Sequence, residues 1–124
     1  MICKKSLGKK GEDKAAIALE TSGMEIIKKN YRSKTGEIDI IALEGETIVF
    51  VEVKAWSSFG MEDLRHCINE KKQRKIINTA KFFLSENRKY SNMSIRFDVI
   101  FINESAFTNE GSIKHLASAF TESV

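Results

Sequence analysis

The chain has 124 residues, 42% hydrophobic and 30% charged, which predicts one domain over residues 1–124 with a core of its own. Two cysteines argue against a disulfide framework. No apolar run reaches the roughly 20 residues of a membrane helix, and Met1-Ile2-Cys3-Lys4-Lys5 lacks the apolar stretch of a secretory signal, so a cytoplasmic protein off the membrane is expected. The net charge of +3 is too small to indicate a polyanionic partner by itself.

Ser6-Leu7-Gly8 opens a predicted helix running to about Thr21, with Ala15, Ala16 and Leu19 at helical spacing and Gly23 as its stop. Met24 to Arg32 reads as a first strand with an imperfect pattern. Gly36 to Leu43 reads as a second, and Glu44-Gly45-Glu46 as a tight turn. Thr47 to Ala55 is the clearest strand, because Ile48, Val49, Phe50, Val51 and Val53 are β-branched or aromatic. Together these runs predict an antiparallel meander, and Trp56 to Met61 is a predicted loop. Glu70 to about Asn87 is an amphipathic helix with Ile76, Ile77, Ala80, Phe83 and Leu84 on one stripe. Ile95 to Ile102 is another strand; Ile100 and Ile102 add to the alternating Phe97, Val99 and Phe101, so its second half is expected to be covered on both faces. Ile113 to Phe120 is a last strand or a short helix. The order α-β-β-β-α-β, with that open end, predicts an α/β fold with a central mixed sheet and a helix on each side.

Basic residues fall in three groups: Lys4, Lys5, Lys9 and Lys10; Lys28, Lys29, Arg32 and Lys34; Lys71, Lys72, Arg74 and Lys75. Either they converge on a polyanion or each is a solvated face. The two readings are left open at this point.

Chemistry concentrates in Val51-Glu52-Val53-Lys54. Residues two apart on a strand share a face, so Glu52 and Lys54 point together, away from Val51 and Val53. A carboxylate and an ammonium at the end of an apolar strand are costly to bury unless paired or bound. Taken alone they fit a structural ion pair, or an exposed polar face on a half-buried strand, better than a site. Asp39 lies in the apolar run Ile38-Asp39-Ile40-Ile41 of the preceding strand, where alternation puts it on one face with Glu37. If the hairpin between residues 43 and 48 is tight, Asp39 and Glu52 can lie side by side. Two carboxylates about 4 Å apart repel by roughly 4 kcal/mol at an effective dielectric near 20, and a divalent cation cancels that. Oxygen donors of this kind, with the Val53 carbonyl as a further one, favour Mg²⁺ or Mn²⁺. Glu12 continues the inward stripe of Ala15, Ala16 and Leu19, although an acid early in a helix also serves the helix dipole. Gln73 continues the stripe of Ile76, Ile77, Ala80 and Leu84, either to reach the site or to end the stripe in water.

Asp39 followed by Glu52-Val53-Lys54 resembles the PD-(D/E)XK nuclease motif. The wider set is more specific: Gly8-Lys9-Lys10-Gly11-Glu12, Asn30-Tyr31-Arg32, Gly36-Glu37-Ile38-Asp39-Ile40-Ile41-Ala42, Val49 to Lys54, Lys72-Gln73, Arg96-Phe97-Asp98-Val99, and His115 with Ala119-Phe120. In this order, over nearly the whole chain, they resemble the YraN-like family, small bacterial proteins regarded as endonucleases and as distant relatives of archaeal Holliday junction resolvases. The resemblance implies a restriction-endonuclease-like core, with Asp39 and Glu52 as metal ligands and Lys54 as the catalytic lysine. It also implies Glu12 as a first acidic position and Gln73 as a supporting one. Ala55-Trp56 stands where the family commonly has an arginine soon after the lysine, and the loop Ser57-Ser58-Phe59-Gly60 also departs from the pattern.

The expected activity is Mg²⁺- or Mn²⁺-dependent hydrolysis of DNA, branched or damaged forms included. Lys9, Lys10, Arg32, Lys72 and Arg74 are candidate phosphate contacts. The alternatives are a catalytically silent nucleic-acid-binding module and a protein-interaction domain in which Glu52 and Lys54 merely pair. A homodimer is a candidate assembly, since a four-way junction is two-fold symmetric. Asp98, among apolar residues beside Arg96, reads as a structural partner for a basic side chain or backbone donor. His66, Cys67, Cys3 and His115 lack zinc-site spacing.

Overall fold

The computed structural model describes residues 3–5, 8–56, 68–103 and 113–122. The predicted loop over 57–61 and the His66-Cys67 pair lie outside the described residues, as do the side chains of Cys3 and Trp56. Among the described residues no helix is long and apolar enough to cross a membrane.

The chain runs β1 (Cys3–Lys5), α1 (Gly8–Thr21), β2 (Glu25–Ser33), β3 (Gly36–Glu44), β4 (Thr47–Trp56), α2 (Glu70–Glu86), a short 3₁₀ turn (Arg88–Tyr90), β5 (Ser94–Asn103) and β6 (Ile113–Phe120). The helix ends have local causes. Past α1, Gly23 takes φ +102; its N–H bonds Glu20 O, and Met24 N–H bonds Leu19 O, the paired closure that a glycine in this position permits. At the start of α2, the Asn69 side chain accepts the Lys72 N–H at 2.9 Å.

The sheet order is β2-β3-β4-β5-β6, with β1 paired to β4 off that path. The expected antiparallel meander over β2, β3 and β4 is present. β4 and β5 are parallel over the full length of β4, with α2 between them in the chain. The open end resolves as the strand β6, antiparallel to β5. β1 was not expected: three residues, two of them lysine, carry no strand pattern, and only the end of β4 gives them a partner.

Two cores lie on the two faces. α1 contributes Ala15, Ala16 and Leu19 to one, against Ile40, Ala42, Val49, Val51, Val53, Ile100 and Ile102. α2 contributes Ile76, Ile77, Ala80 and Phe83 to the other, against Ile38, Ile41, Phe50, Val99 and Phe101. The second half of β5 is therefore buried on both sides, as its run of apolar residues predicts.

Asp98 is 1% exposed and ties three strands together. Arg96 Nε and a terminal Arg96 nitrogen donate to its two oxygens at 2.9 Å each, His115 Nε2 donates at 2.7 Å, and Ser118 N–H donates at 3.0 Å. Arg96 also reaches Glu44 on β3 at 2.6 Å. β6 carries an irregularity here: Phe97 pairs with Phe120 but Val99 with Leu116. Ser118 in that stretch sits at φ +53, a conformation that a non-glycine residue adopts only when held. The structural role expected of Asp98 is thus a double one, salt bridge and bulge anchor.

Candidate active site

β4 carries the centre. Phe50 packs under α2, and by alternation Glu52 and Lys54 open on that same side. They line a cleft of about 350 Å³ with Gly36, Glu37, Lys72, Lys75 and Ile76. Glu52 is 8% exposed and Lys54 5%, and Lys54 Nζ lies 3.4 Å from Glu52 Oε2. The pair expected from the sequence exists, at the wall of a cleft that opens to solvent.

Asp39 is 2% exposed, and its Oδ2 accepts the Val53 N–H at 2.8 Å. The backbone explains this contact. On the β3 side of β4, the ladder with β3 ends at Ile40 opposite Val51, and the ladder with β1 begins at Lys5 opposite Lys54. Glu52 and Val53 fall between the two ladders, and there a carboxylate takes the N–H. A strand residue's N–H and C=O leave by the same edge, so the Val53 carbonyl also points to the Asp39 side.

Strict alternation does not hold along β3. Ile38 belongs to the core under α2 and Ile40 to the core under α1, so the strand changes face across Asp39. Glu37, expected to share a face with Asp39, instead lines the α2-side cleft and pairs with Arg32 at 3.3 Å. Gly36 at the head of the strand sits at φ +144, and a Cβ there would meet Thr79 Oγ1 at 3.1 Å. Thr35 Oγ1 is also 2.9 Å from Thr79 Oγ1, which ties the β2–β3 turn to α2 beside the cleft.

Glu12 is 7% exposed, as the inward stripe predicts. It lies beyond the first turn of α1, so charge compensation at the helix end does not account for it. It lines a separate hollow of about 530 Å³ with Lys9, Asp13, Lys29, Asn30 and Arg32, not the cleft of Glu52 and Lys54. The stripe told that Glu12 points inward. It could not tell which layer the helix occupies.

Gln73 does not join the cleft either. Its Nε2 donates to Ile68 O at 3.1 Å, turning the side chain back along its own helix start, and it lines a different depression with Glu70, Arg74 and Asn78. Of the candidate phosphate contacts, Lys72 lines the Glu52 cleft, while Lys9 and Arg32 line the hollow around Glu12. Lys10 lies on an apolar groove with Ile17 and Ile113, and Arg74 faces Glu70 at 3.9 Å. Among the described residues, then, Lys9 of the first group meets Lys29 and Arg32 of the second in one hollow, while Lys72 and Lys75 of the third line another. Lys75, one turn from Lys72 on the same helix face, was the cleft cation not singled out.

Among the described residues, no three His, Cys, Asp or Glu side chains gather into a set able to hold a metal ion. What the described residues offer is smaller: two buried carboxylates, Asp39 on the Val53 N–H and Glu52 beside Lys54. Both are oxygen donors, the class of ligand that suits hard cations rather than zinc, and Lys54, Lys72 and Lys75 are cations lining the cleft with Glu52.

The chain matches Uncharacterised protein family UPF0102 over residues 11–102. It is 47% identical over 123 residues to a UPF0102 protein of Treponema denticola, covering 93% of this chain and 95% of the relative. It is 46% identical over 121 residues to one of Treponema pallidum subsp. pallidum, covering 97% and 96%. To one of Clostridium perfringens it is 41% identical over 116 residues, covering 94% of each.

Proposed function

The chain belongs to Uncharacterised protein family UPF0102, and from the site itself we propose a Mg²⁺- or Mn²⁺-dependent nuclease that hydrolyses DNA phosphodiester bonds. The observation that carries this reading is the Asp39 contact to the Val53 N–H, in the gap between two ladders, one residue from the buried Glu52–Lys54 pair. Backbone that leaves regular pairing beside two carboxylates and a lysine is an expensive arrangement for an ion pair alone. The order of elements, with a helix on each face and α2 crossing between the parallel β4 and β5, supports a restriction-endonuclease-like core.

Asp39, Glu52 and the Val53 carbonyl would hold the ion, which when bound supplies Lewis-acid polarisation of the phosphodiester. Lys54, fixed at 3.4 Å from Glu52, directs its remaining N–H donors into the cleft, where they orient the attacking water and meet charge developing on the phosphate. Lys72 and Lys75 on the opposite wall hold a neighbouring phosphate and set the strand's register.

The test is incubation of the purified protein with duplex, single-stranded and four-way-junction DNA in Mn²⁺. Cleavage of at least one form is expected, stopped by chelator and absent in Asp39→Ala. No cleavage of any form, or cleavage indifferent to Asp39→Ala, contradicts the proposal. The lack of a three-acid set among the described residues favours one second reading, a nucleic-acid-binding module that does not cut. That reading takes over if DNA binds with steep salt dependence, survives Glu52→Ala and is never cleaved.

A further inference from the structure

The hollow around Glu12 is not used by the chemistry above. Glu12 is 7% exposed, and no hydrogen bond or ion pair joins its carboxylate to a described residue. A buried carboxylate with lone pairs unmet is costly, and it points to a donor that arrives from outside. Around it stand Lys9, Lys29 and Arg32, three cations against the two carboxylates Glu12 and Asp13, with Asn30 between them. Asp13 is already held by Lys29 at 2.9 Å, so Glu12 is the acceptor left over. Asn30 takes φ +56 in the middle of β2, which breaks the regular strand at the rim of the hollow.

Cations around an acceptor-only group describe a ligand that is negative at one end and a hydrogen-bond donor at the other. A phosphate meets the lysines. It cannot meet Glu12, because like charges repel. A nucleobase can, and guanine presents two adjacent N–H groups on its Watson–Crick edge, matched to the two oxygens of one carboxylate, whereas thymine presents one. That edge is free only in an unpaired nucleotide. The planar guanidinium of Arg32, largely exposed, offers a surface for the base to stack on. Arg32 also pairs with Glu37, which lines the Glu52 cleft, so this ion pair joins one wall of each hollow.

We propose that the Glu12 hollow binds an unpaired guanine nucleotide of the strand that occupies the Glu52 cleft, with its phosphate on Lys9 and Lys29 and its base on Glu12. This rests on the nucleic-acid reading of that cleft, and it narrows the substrate class to strands with unpaired nucleotides.

The test uses the full chain in chelator, so that no cutting is required. Labelled single-stranded octamers, one all thymidine and one with guanine at two positions, are titrated by fluorescence anisotropy. The guanine octamer should bind at least about fivefold tighter. Glu12→Gln should bring that ratio to about one, with guanine binding losing far more than thymidine binding. Arg32→Ala, at an exposed side chain, should weaken both octamers, and a melting curve for each variant separates lost contacts from lost fold. Equal affinity for the two octamers, or a guanine preference that survives in Glu12→Gln, overturns the proposal. A guanine preference in a protein that never cleaves DNA in Mn²⁺ would keep this site and discard the nuclease.

Discussion

Under the proposed nuclease reading, Lys54→Met is expected to lower DNA cleavage at least about a hundredfold and to leave DNA binding in chelator nearly unchanged. The loss follows from the geometry: among the described residues Lys54 is the ammonium held within 4 Å of Glu52, and removing a pre-positioned donor at a developing oxyanion typically costs about 10²–10³ in rate. Lys72 and Lys75, which line the cleft from α2, are untouched by the substitution, so binding is expected to persist. Methionine keeps the stem and the packing but leaves the buried Glu52 without its partner. Breaking such a pair costs about 3–5 kcal/mol of stability, so the melting curve of the variant has to be taken beside its rate. Single-turnover cleavage with the variant still folded is the informative measurement. A folded Lys54→Met that cuts at the native rate removes lysine from the mechanism.

Asp98→Ala destabilises the fold by about 3 kcal/mol, or roughly 10 °C in melting temperature for a chain of this length. It strips the bidentate partner from Arg96, the acceptor from His115 and the tether from the left-handed Ser118 in one step. The same carboxylate has a pH signature. Burial alone pushes Asp98 up, but the donors from His115, Arg96 and Ser118 together outweigh it and hold the group below its ordinary 3.8. A depressed carboxylate contributes stability that is complete above its unfolded value and lost as pH falls through the folded one. The Asp98 contribution is therefore intact at neutral pH and declines as pH falls from 3.8 downward. Thermal melts against pH should show Asp98→Asn with a shallower acid loss than the native chain. Parallel curves would place acid sensitivity elsewhere.

The strands and helices were legible because their apolar periodicities are strong: β4, β5 and α2 fall within a residue or so of their expected bounds. The Glu52–Lys54 pair was legible for the same reason, since two polar residues on one face of an apolar strand admit few arrangements. Three things were not. β1 has no pattern of its own and exists through its pairing with the end of β4. The face change at Asp39 is a backbone event, invisible to a reading that assumes strict alternation. The separation of Glu12 and Gln73 from Glu52 is a matter of which layer and which direction each helix takes, and a helical stripe reports only that a side chain points inward. The Asp98 network was half legible: Arg96 is its near neighbour in sequence, but Glu44, His115 and Ser118 come from other strands.

Asp39 and Glu52 sharing an ion is the point on which the nuclease reading turns. Calorimetric titration of Mn²⁺ into the metal-free protein tests it without any assumption about substrate. Asp39→Asn is the proper comparison, because the amide oxygen can still accept the Val53 N–H and so keeps the strand junction while removing the charge. The site predicts one saturable binding event in the native chain that is lost in Asp39→Asn. Absence of binding in the native chain, or binding undiminished in Asp39→Asn, would contradict it.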